Sequence, residues 1–554
     1  MRPNRLPAAV CTLWLAGCGA SVTVSPTAAS DVPDAGAPRD VPAPRDNPTT
    51  PADVVVAPVD VPPPPVDAGP PATNLPLGAA CARDAECASH VCAQTPGIVS
   101  GCAQPCTRDA DCLAVNPNDA CVLDRAPGGG RFVCGLVAPA MVDRGGACTG
   151  DGDCISGFCL ESVCHNACAT DAECLAGWHC GAQPVGAASV QACRANPITG
   201  VTVETYTLGE GNYVTQRPTN PWSVVAPPDT VSLTWVTQDL TGADLYAAAS
   251  TITDPNARTL VDLRTWNTLH EQPVREIPAR LQVNVSTFPG RDMEPMVPGM
   301  FQSSHVLLNA ATGMAAATHR LRASVLVKRA PGGVAAAGWA ISVQFIVVGL
   351  PGLSAATIGS TARMRAAIAR MQQIYGAAGV VVNIRGFSDA TDAARLTTID
   401  TQDEFHALLQ QSAGLPDGVL PVFLVQSIAD TAGLEGAVGV AGAIDGPPGI
   451  QGTVQSGVVA GWSSTLAGAN DILGQVLAHE CGHFLGLWHT RENLPACTTA
   501  GQMMCSIWGG VDNVTDTPAG PTAANYLMYW STDGRNTALS AGEALMMRLN
   551  PLVR

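Results

Sequence analysis

Cysteine is concentrated in one part of this chain, because sixteen of its 21 cysteines lie between residues 81 and 193. An even number in each of two consecutive sets predicts small disulfide-rich modules with four bridges each, in an exported protein. The sequence leaves the pairing open, and zinc binding is the weaker alternative because close Cys-x-x-Cys pairs are missing. The two sets are Cys81, Cys87, Cys92, Cys102, Cys106, Cys112, Cys121 and Cys134, then Cys148, Cys154, Cys159, Cys164, Cys168, Cys174, Cys180 and Cys193.

A chain of 554 residues is too long to fold around one hydrophobic core, and changes in composition along it mark the borders of several segments. The proline-rich linker that follows the N-terminus carries too little apolar surface to offset the entropy of ordering it. The net charge of −17 argues against nucleic-acid binding, which needs basic surface. We predict a signal peptide over 1–18, a disordered linker over 19–77, cysteine-rich repeats over 78–140 and 141–196, a β-rich domain over 197–335, and a C-terminal domain over 336–554.

The N-terminus resembles an export signal, since Arg2 and Arg5 precede a short apolar stretch that ends in Leu-Ala-Gly-Cys at residues 15–18. Those four residues resemble the bacterial lipoprotein box, in which the signal is cut before the cysteine. The resemblance implies acyl chains on Cys18 that hold the protein at a membrane. Gly19 after the cysteine favours the outer membrane. We expect an exported protein, anchored at the cell envelope or released, and an ordinary signal peptide is the alternative.

The region over 197–335 has short alternating apolar runs at 230–236, 280–285 and 321–327, which are typical of an antiparallel β-sandwich. A charge-free stretch over 332–359 is interrupted by glycine and proline, so we predict a central strand there and no transmembrane helix. Strands and helices then alternate. The C-terminal domain is therefore predicted to be α/β (α+β), with a mixed twisted sheet.

The sequence His-Glu-Cys-Gly-His begins at residue 479, within a predicted helix from about 470 to 487. Asn470 or Asp471 is the predicted N-cap of this helix. His479 and His483 are four residues apart, so their imidazoles lie on one face, one turn apart. Two neutral imidazoles in that arrangement can bind one zinc ion.

Three further residues complete the pattern. Glu480 can reach a water on a metal held by the two histidines. Gly486 can end the helix, because glycine tolerates a positive φ. His489 then follows as the third ligand, and the fourth position stays open, as a catalytic zinc site requires.

The full pattern His-Glu-x-x-His-x-x-Gly-x-x-His is the metzincin signature, and that family also has a methionine turn beneath the metal. Leu-Met-Tyr at 527–529 resembles this turn with Met528 as its methionine, whereas a gapless match would put Leu527 there. Leu-Trp-His-Thr over 487–490 and Asp-Asn-Val-Thr-Asp-Thr-Pro over 512–518 most resemble the pappalysin family. This resemblance implies Tyr529 as a group assisting the oxyanion, and a Ca²⁺ site around 512–516.

The resemblance implies a zinc-dependent endopeptidase that hydrolyses protein or peptide substrates outside the cell. Glu480 would act as the general base towards water. In metzincins the substrate pairs with a sheet edge, bordered here by a glycine-rich loop over 434–452 and a strand over 458–462. A surface adhesion protein with a zinc site not used in catalysis is the alternative, and a zinc enzyme acting on a non-peptide bond is a third.

The remaining cysteines of the C-terminal domain have separate interpretations. Cys497 and Cys505 are close enough in sequence to form a disulfide in the segment after His489. Cys481 is predicted to be a small packed residue, because the helix turns it away from the histidine face.

Overall fold

A computed structural model describes most of the chain after residue 73 together with residues 19–21. Cys18, Cys497 and Cys505 lie outside the described residues, as does most of the predicted linker. The described ranges are 19–21, 74–95, 100–114, 119–124, 130–136, 148–160, 163–174, 178–185, 188–195, 200–242, 245–264, 274–276, 280–309, 317–335, 338–429, 437–467, 470–490, 512, 514–518, 521–532 and 534–554.

The sixteen clustered cysteines form eight disulfides with one repeated connectivity. In every group of four, the first cysteine pairs with the third and the second with the fourth, so each eight-cysteine repeat consists of two similar halves. The pairs are Cys81–Cys92, Cys87–Cys102, Cys106–Cys121, Cys112–Cys134, Cys148–Cys159, Cys154–Cys164, Cys168–Cys180 and Cys174–Cys193. Disulfides of this density stabilise modules too small for a sufficient apolar core, and they indicate an oxidising compartment.

An aspartate repeats along with the cysteines. The side chains of Asp84, Asp151 and Asp171 each accept a hydrogen bond from the backbone N–H of a cysteine eight or nine residues later. These carboxylates brace short turns that otherwise contain little regular structure. The strands are Cys92–Ala93, Gly101–Cys102, Asp119–Leu123, Phe132–Leu136, Cys159–Leu160, Val163–Cys164, Trp178–Val185 and Ala188–Ala195, with one helix at Asp109–Leu113 and 3₁₀ turns at Asp84–Glu86, Asp151–Asp153 and Asp171–Glu173.

The β-rich domain consists of two antiparallel sheets packed face to face. Sheet one has the order Thr202–Val214, Thr318–Arg329, Thr230–Asp239, Val283–Phe288 and Arg275–Glu276. Sheet two has the order Trp222–Ala226, Gly299–Asn309, Leu245–Thr253 and Thr259–Asp262, and Arg280–Leu281 also pairs with its third strand. Trp235 and Phe288 of sheet one meet Phe301 of sheet two in the shared core.

The C-terminal domain has a mixed sheet with helices packed against it. Its strand order is Gly19–Ser21, Ala437–Ala441, Val458–Gly461, Val419–Val425, Trp339–Val347 and Val380–Asp389, and the last four strands run parallel. Two small pairs, Thr398–Ile399 with Ser427–Ile428 and Leu466–Ala467 with Asn470–Asp471, lie outside this sheet. The predicted central strand is therefore present at Trp339–Val347, buried between two parallel neighbours.

The helices of this domain are Ala355–Ile358, Ala362–Ala377, Gln402–Leu409, Leu473–Phe484 and Ala541–Leu549, with 3₁₀ turns at Gly333–Ala335, Gln410–Ser412 and Pro521–Asn525. Among the described residues, no helix is long and apolar enough to cross a membrane. The helix Leu473–Phe484, called the motif helix below, is buried along its whole length. Helix Ala362–Ala377 packs on it so closely that a Cβ at Gly474 would lie 2.5 Å from the Ala367 carbonyl oxygen.

Two local predictions were wrong. The loop expected over 434–452 contains a strand, Ala437–Ala441, which pairs antiparallel with Val458–Gly461 and is called the edge strand below. Asn470 and Asp471 do not cap the motif helix, because they pair as a short strand and the N-cap is Ile472. The Asp471 side chain still accepts a hydrogen bond from the Leu473 N–H, at 3.1 Å.

The outer side of the edge strand is paired as well. Gly19–Ser21 runs antiparallel to it, with Gly19 opposite Val440 and Ser21 opposite Ala437. This short strand departs from the expectation that the whole of 19–77 lacks structure. The edge of the sheet is thus able to accept an added strand.

The sandwich contacts the C-terminal domain through buried hydrogen bonds from both ends of sheet one. On one side, the buried Lys328 ammonium donates hydrogen bonds to the carbonyl oxygens of Arg548, Asn550 and Val553 near the chain end. On the other side, the Val283 N–H donates to the Gln455 side chain, in the loop that follows the edge strand, at 3.1 Å. Sheet one is therefore covered on one face by sheet two and on the other by the C-terminal domain.

Candidate metal centre

The three histidines of the sequence pattern meet at one buried point. The Nε2 atom of His489 lies 3.3 Å from that of His479 and 3.1 Å from that of His483. One ligand atom from each ring falls within 4.8 Å of the others, a spacing that fits three ligands of one ion. Glu480, beside the first histidine, is fully buried with them.

Each helix histidine is oriented by a backbone carbonyl on its far side. The Nδ1–H of His479 donates to the Leu527 carbonyl at 2.7 Å, and that of His483 donates to the Leu487 carbonyl at 2.7 Å. A carbonyl only accepts, so the proton is on Nδ1 and the lone pair is on Nε2. Both Nε2 lone pairs therefore face the common point, as metal ligands require.

Burial keeps these imidazoles neutral. Desolvation is the largest influence on both rings, and it lowers the pKa of His479 to about 3, with a further contribution from nearby His489. The pKa of His483 is also lowered well below its ordinary value, first by burial and then by its two histidine neighbours. Neutral imidazole is the form that binds a metal ion, so no proton has to be removed before an ion enters.

The edge strand can lie directly against Glu480 because its residue at the point of contact, Gly439, has no side chain. A Cβ at Gly439 would lie 2.7 Å from Glu480 Cγ and 3.1 Å from its Oε1. No residue with a side chain fits at this place without displacing the carboxylate. Gly439 is a site residue that the sequence pattern missed, and the small residues of Ala-Val-Gly-Val-Ala over 437–441 were the available signal.

The chain turns sharply after the motif helix, over residues 485–487, called the motif turn below. Gly486 has φ +96°, and its N–H donates to the His483 carbonyl at 2.8 Å. The Leu487 N–H donates to the Gly482 carbonyl at 3.0 Å, so the last turn of the helix is closed by backbone hydrogen bonds. This reversal brings His489 back onto the face that carries the other two histidines.

Residues 527–529 lie beneath the motif helix. Leu527 and Met528 are both fully buried, and Met528 Sδ is so close to the helix that a Cβ at Gly482 would lie 2.9 Å from it. The Met528 carbonyl accepts the Thr490 N–H at 2.9 Å, next to His489. Met528 thus supports the helix with its side chain, and Leu527 supports His479 with its backbone.

The other two predicted residues near the motif have different surroundings. Tyr529 is half-buried, and its ring centroid lies 5.9 Å from that of Trp530. Cys481 is buried and has no disulfide partner in the part of the chain that the structure describes, and burial raises the pKa of its thiol, as in an inert packed residue.

Four carboxylates converge about the segment 512–516, and we call them the carboxylate cluster: Asp292, Asp512, Asp516 and Glu543. Asp292 comes from the sandwich and accepts hydrogen bonds from the Thr515 N–H at 2.9 Å and its hydroxyl at 2.8 Å. Among the described residues, one oxygen each of Asp292, Asp512 and Glu543 is buried without a hydrogen-bond partner. Burial, with added repulsion from the other carboxylates, raises the pKa of Asp512 to about 7 and that of Glu543 to about 8.

No protein-family model and no curated protein matches this chain. Among solved structures, it is similar to metalloproteinase-II from Bacteroides fragilis, with 14% identity and a TM-score of 0.20 over 35% of this chain and 54% of that one. It is also similar to a family two carbohydrate esterase from Cellvibrio japonicus, with 11% identity and a TM-score of 0.11 over 34% of this chain and 53% of that one. The chain thus spans about half the length of each of these structures. Its own fold and site define a multidomain, disulfide-rich protein with a buried three-histidine centre.

Proposed function

We propose that this protein is an exported, zinc-dependent endopeptidase that acts on protein or peptide substrates outside the cell. The observation that carries the proposal is the convergence of His479, His483 and His489 beside the buried Glu480. Eight disulfides among the described residues support an extracellular setting.

The donor set fits zinc better than the other common metals. Among the described residues, the ligand atoms gathered at this point are three imidazole nitrogens, which suit a tetrahedral zinc site with one position left for water or substrate. The carbonyls of Leu527 and Leu487 hold the first two rings in the tautomer that exposes Nε2. Zinc held there would supply Lewis-acid activation of a water and of a substrate carbonyl.

Glu480 is the residue for proton transfer in this proposal. It follows the first ligand on the same helix and is enclosed by the edge strand at Gly439. The carboxylate would take a proton from the attacking water and give it to the amine that leaves. Tyr529 would assist the carbonyl oxygen, as the pappalysin resemblance implies.

The edge strand is the proposed site of substrate backbone pairing. Its glycine lies against Glu480, so an extended peptide paired along its outer side would run beside the proposed base. Gly19–Ser21 already pairs there in antiparallel orientation. A substrate strand would take the place of these three residues.

The carboxylate cluster is the proposed site for Ca²⁺, in agreement with the pappalysin resemblance. Ca²⁺ takes carboxylate oxygens as ligands, and three buried oxygens of the cluster have no hydrogen-bond partner among the described residues. Asp292 belongs to the sandwich and Glu543 to the last helix, so an ion between them would join the two domains.

We also propose that Cys18 carries acyl chains and tethers the protein to the envelope membrane. The Pro/Ala/Asp-rich segment after it has the composition of an extended stalk, which would hold the folded domains away from the lipid. The expected partners are therefore the membrane and a polypeptide substrate.

The proposed function is tested with the purified full chain and its Glu480→Ala variant. Bound zinc is quantified, and cleavage of a mixed pool of unfolded proteins is followed by mass spectrometry. One zinc per chain in both proteins, with cleavage only by the unmutated one, is expected. Zinc in both without cleavage of the pool would favour the surface adhesion protein, and cleavage retained by Glu480→Ala would overturn the role of Glu480.

A further inference from the structure

The sandwich places a charged side chain against the motif turn. Arg275 lies at the end of sheet one, where its strand pairs with Val283–Phe288. Its Nε atom is 2.7 Å from Oδ1 of Asp445, which belongs to the loop after the edge strand, and both side chains are 0% exposed. This ion pair joins two domains in a region closed to solvent.

Both charged groups touch the glycine that ends the motif helix. A Cβ at Gly486 would lie 2.0 Å from Asp445 Oδ1 and 2.3 Å from Arg275 Cζ. The backbone beside Asp445 is tied to the same place, since the Gly446 N–H donates to the Phe484 carbonyl at 2.9 Å. The pair therefore packs directly on the motif turn.

The motif turn in turn sets the orientation of two of the three histidines. The Leu487 carbonyl accepts the Nδ1–H of His483, and His489 follows two residues after Leu487. A shift of this turn would rotate the His483 ring and move His489 at the same time. His479 is held separately, by the Leu527 carbonyl.

Charge also favours an arginine at this position. The C-terminal end of a helix carries a partial negative charge from its unpaired carbonyls, and a cation there is stabilising. Asp445 balances the charge of Arg275 in an environment where an unpaired ion would be costly. The same two domains are also joined by reciprocal hydrogen bonds, since the Val454 N–H donates to the Gln282 side chain and the Val283 N–H donates to the Gln455 side chain.

We infer that Arg275 is a positioning residue for the metal centre, and that the sandwich is part of the active enzyme rather than a spacer. The inference rests on the proposed zinc site. Arg275 acts through Asp445 and the motif turn, and it fixes the angle at which His483 and His489 present their nitrogens. Residues that orient metal ligands from outside the coordination sphere typically change metal affinity by about 10- to 100-fold when they are replaced.

The test measures zinc affinity in the full chain by competition with a chromophoric chelator, together with the absorption spectrum after Co²⁺ substitution. The main variant is the double replacement Arg275→Leu with Asp445→Leu. It leaves no unpaired buried charge, and replacement of both partners of a buried ion pair by apolar residues is often neutral for folding. Arg275→Lys is the conservative variant, which keeps a cation but loses the planar guanidinium.

The control is a second arginine–aspartate pair, which lies within the sandwich. Arg329 Nε also lies 2.7 Å from an aspartate oxygen, that of Asp229. The double replacement Arg329→Leu with Asp229→Leu alters a pair of the same kind away from the motif turn. It should leave zinc affinity and the Co²⁺ spectrum unchanged.

For the Arg275→Leu, Asp445→Leu protein we expect a zinc dissociation constant about 10- to 100-fold higher and a changed Co²⁺ spectrum. Arg275→Lys should fall between this protein and the unmutated one. Unchanged affinity and spectrum in the folded double variant would overturn the inference alone. Absence of zinc from the unmutated protein would overturn the proposed function as well, so the two failures can be told apart.

Discussion

The Nδ1 atom of His479 lies 2.7 Å from the carbonyl oxygen of Leu527, and this contact joins the motif helix to residues 48 positions later. The ring therefore depends on a segment that the histidine pattern does not include. Met528, the next residue, packs its sulfur against the same helix at Gly482. The support of the candidate metal centre thus extends well beyond its three histidines.

Met528→Ala is expected to lower the free energy of unfolding by about 2–5 kcal/mol, because a fully buried side chain would leave a cavity beneath the helix. It should also weaken zinc binding, since the helix would relax into that cavity. Chemical denaturation and chelator competition measure the two effects. Met528→Leu keeps most of the volume and should cost less than about 1.5 kcal/mol, so an equal loss in both variants would contradict this account.

Gly486→Ala is expected to destabilise the protein by more than about 1–3 kcal/mol, the usual cost of a strained backbone position. The φ of +96° disfavours any side chain, and a Cβ there would overlap Asp445 and Arg275. Zinc content and thermal unfolding are the measurements. Stable folding with a full zinc complement would show that the motif turn is not held as described.

Gly376→Ala is the matched control for that substitution. Gly376 lies in the exposed face of helix Ala362–Ala377, and a Cβ there would meet nothing within 4 Å. Alanine should raise stability by about 0.5–1 kcal/mol, because it loses less backbone freedom on folding than glycine does. A similar loss in both variants would mean that the Gly486 effect is not specific to its site.

Between about pH 6.5 and 8, above the range in which the buried histidines gain a proton on unfolding, the metal-free protein is expected to lose stability as the pH rises. The pKa of Glu543 is raised from its ordinary 4.5 to about 8, so the folded state holds a proton that the unfolded state has already released. The contribution of Glu543 to the free energy of unfolding is complete below pH 4.5 and is lost as the pH passes through about 8. Thermal unfolding at several pH values measures this slope.

A variant and an added ion test whether this pH dependence arises at the carboxylate cluster. Glu543→Gln should reduce the slope and leave the part that arises from Asp512, because the amide does not titrate and can still accept the Ser540 N–H bond. Added Ca²⁺ should raise the melting temperature most at pH 8, where the carboxylates are ionised and free to bind it. A slope that is the same in both proteins, with no effect of Ca²⁺, would argue against the proposed cation site.

Cys18→Ser is expected to abolish membrane association in a bacterial host. The hydroxyl of serine cannot form the thioether that carries the acyl chains, and without them no other strong anchor is predicted. Labelled palmitate incorporation and membrane fractionation measure the change. Membrane association that persists in the variant would contradict a lipid anchor at Cys18.

Local patterns in the sequence account for much of the fold. The central strand Trp339–Val347 lies within the charge-free stretch over 332–359 that predicts it, and the alternating runs at 230–236 and 321–327 lie in strands of the sandwich. The histidine spacing likewise brought its three rings to one point. Each of these features depends on residues near one another in the chain.

Features that depend on contacts between residues far apart in the chain could not be predicted from local sequence patterns. The sequence of the edge strand predicts a loop, because alanine and glycine disfavour strands. Gly439 is nevertheless required at the point where the strand meets Glu480. The motif helix begins later than the sequence predicts, because Asn470 and Asp471 pair with a preceding strand. The contact of Arg275 with Asp445 joins two domains, and neither residue belongs to a periodic pattern.

The most direct test of the central claim is X-ray absorption spectroscopy at the zinc edge on the purified full chain. We predict one zinc per chain with three imidazole nitrogens and one oxygen, all at about 2.0–2.2 Å. Replacing His489 by alanine should remove one imidazole from that shell or abolish binding. A zinc shell that contains sulfur, at about 2.3 Å, or a folded protein that binds no zinc, would contradict it.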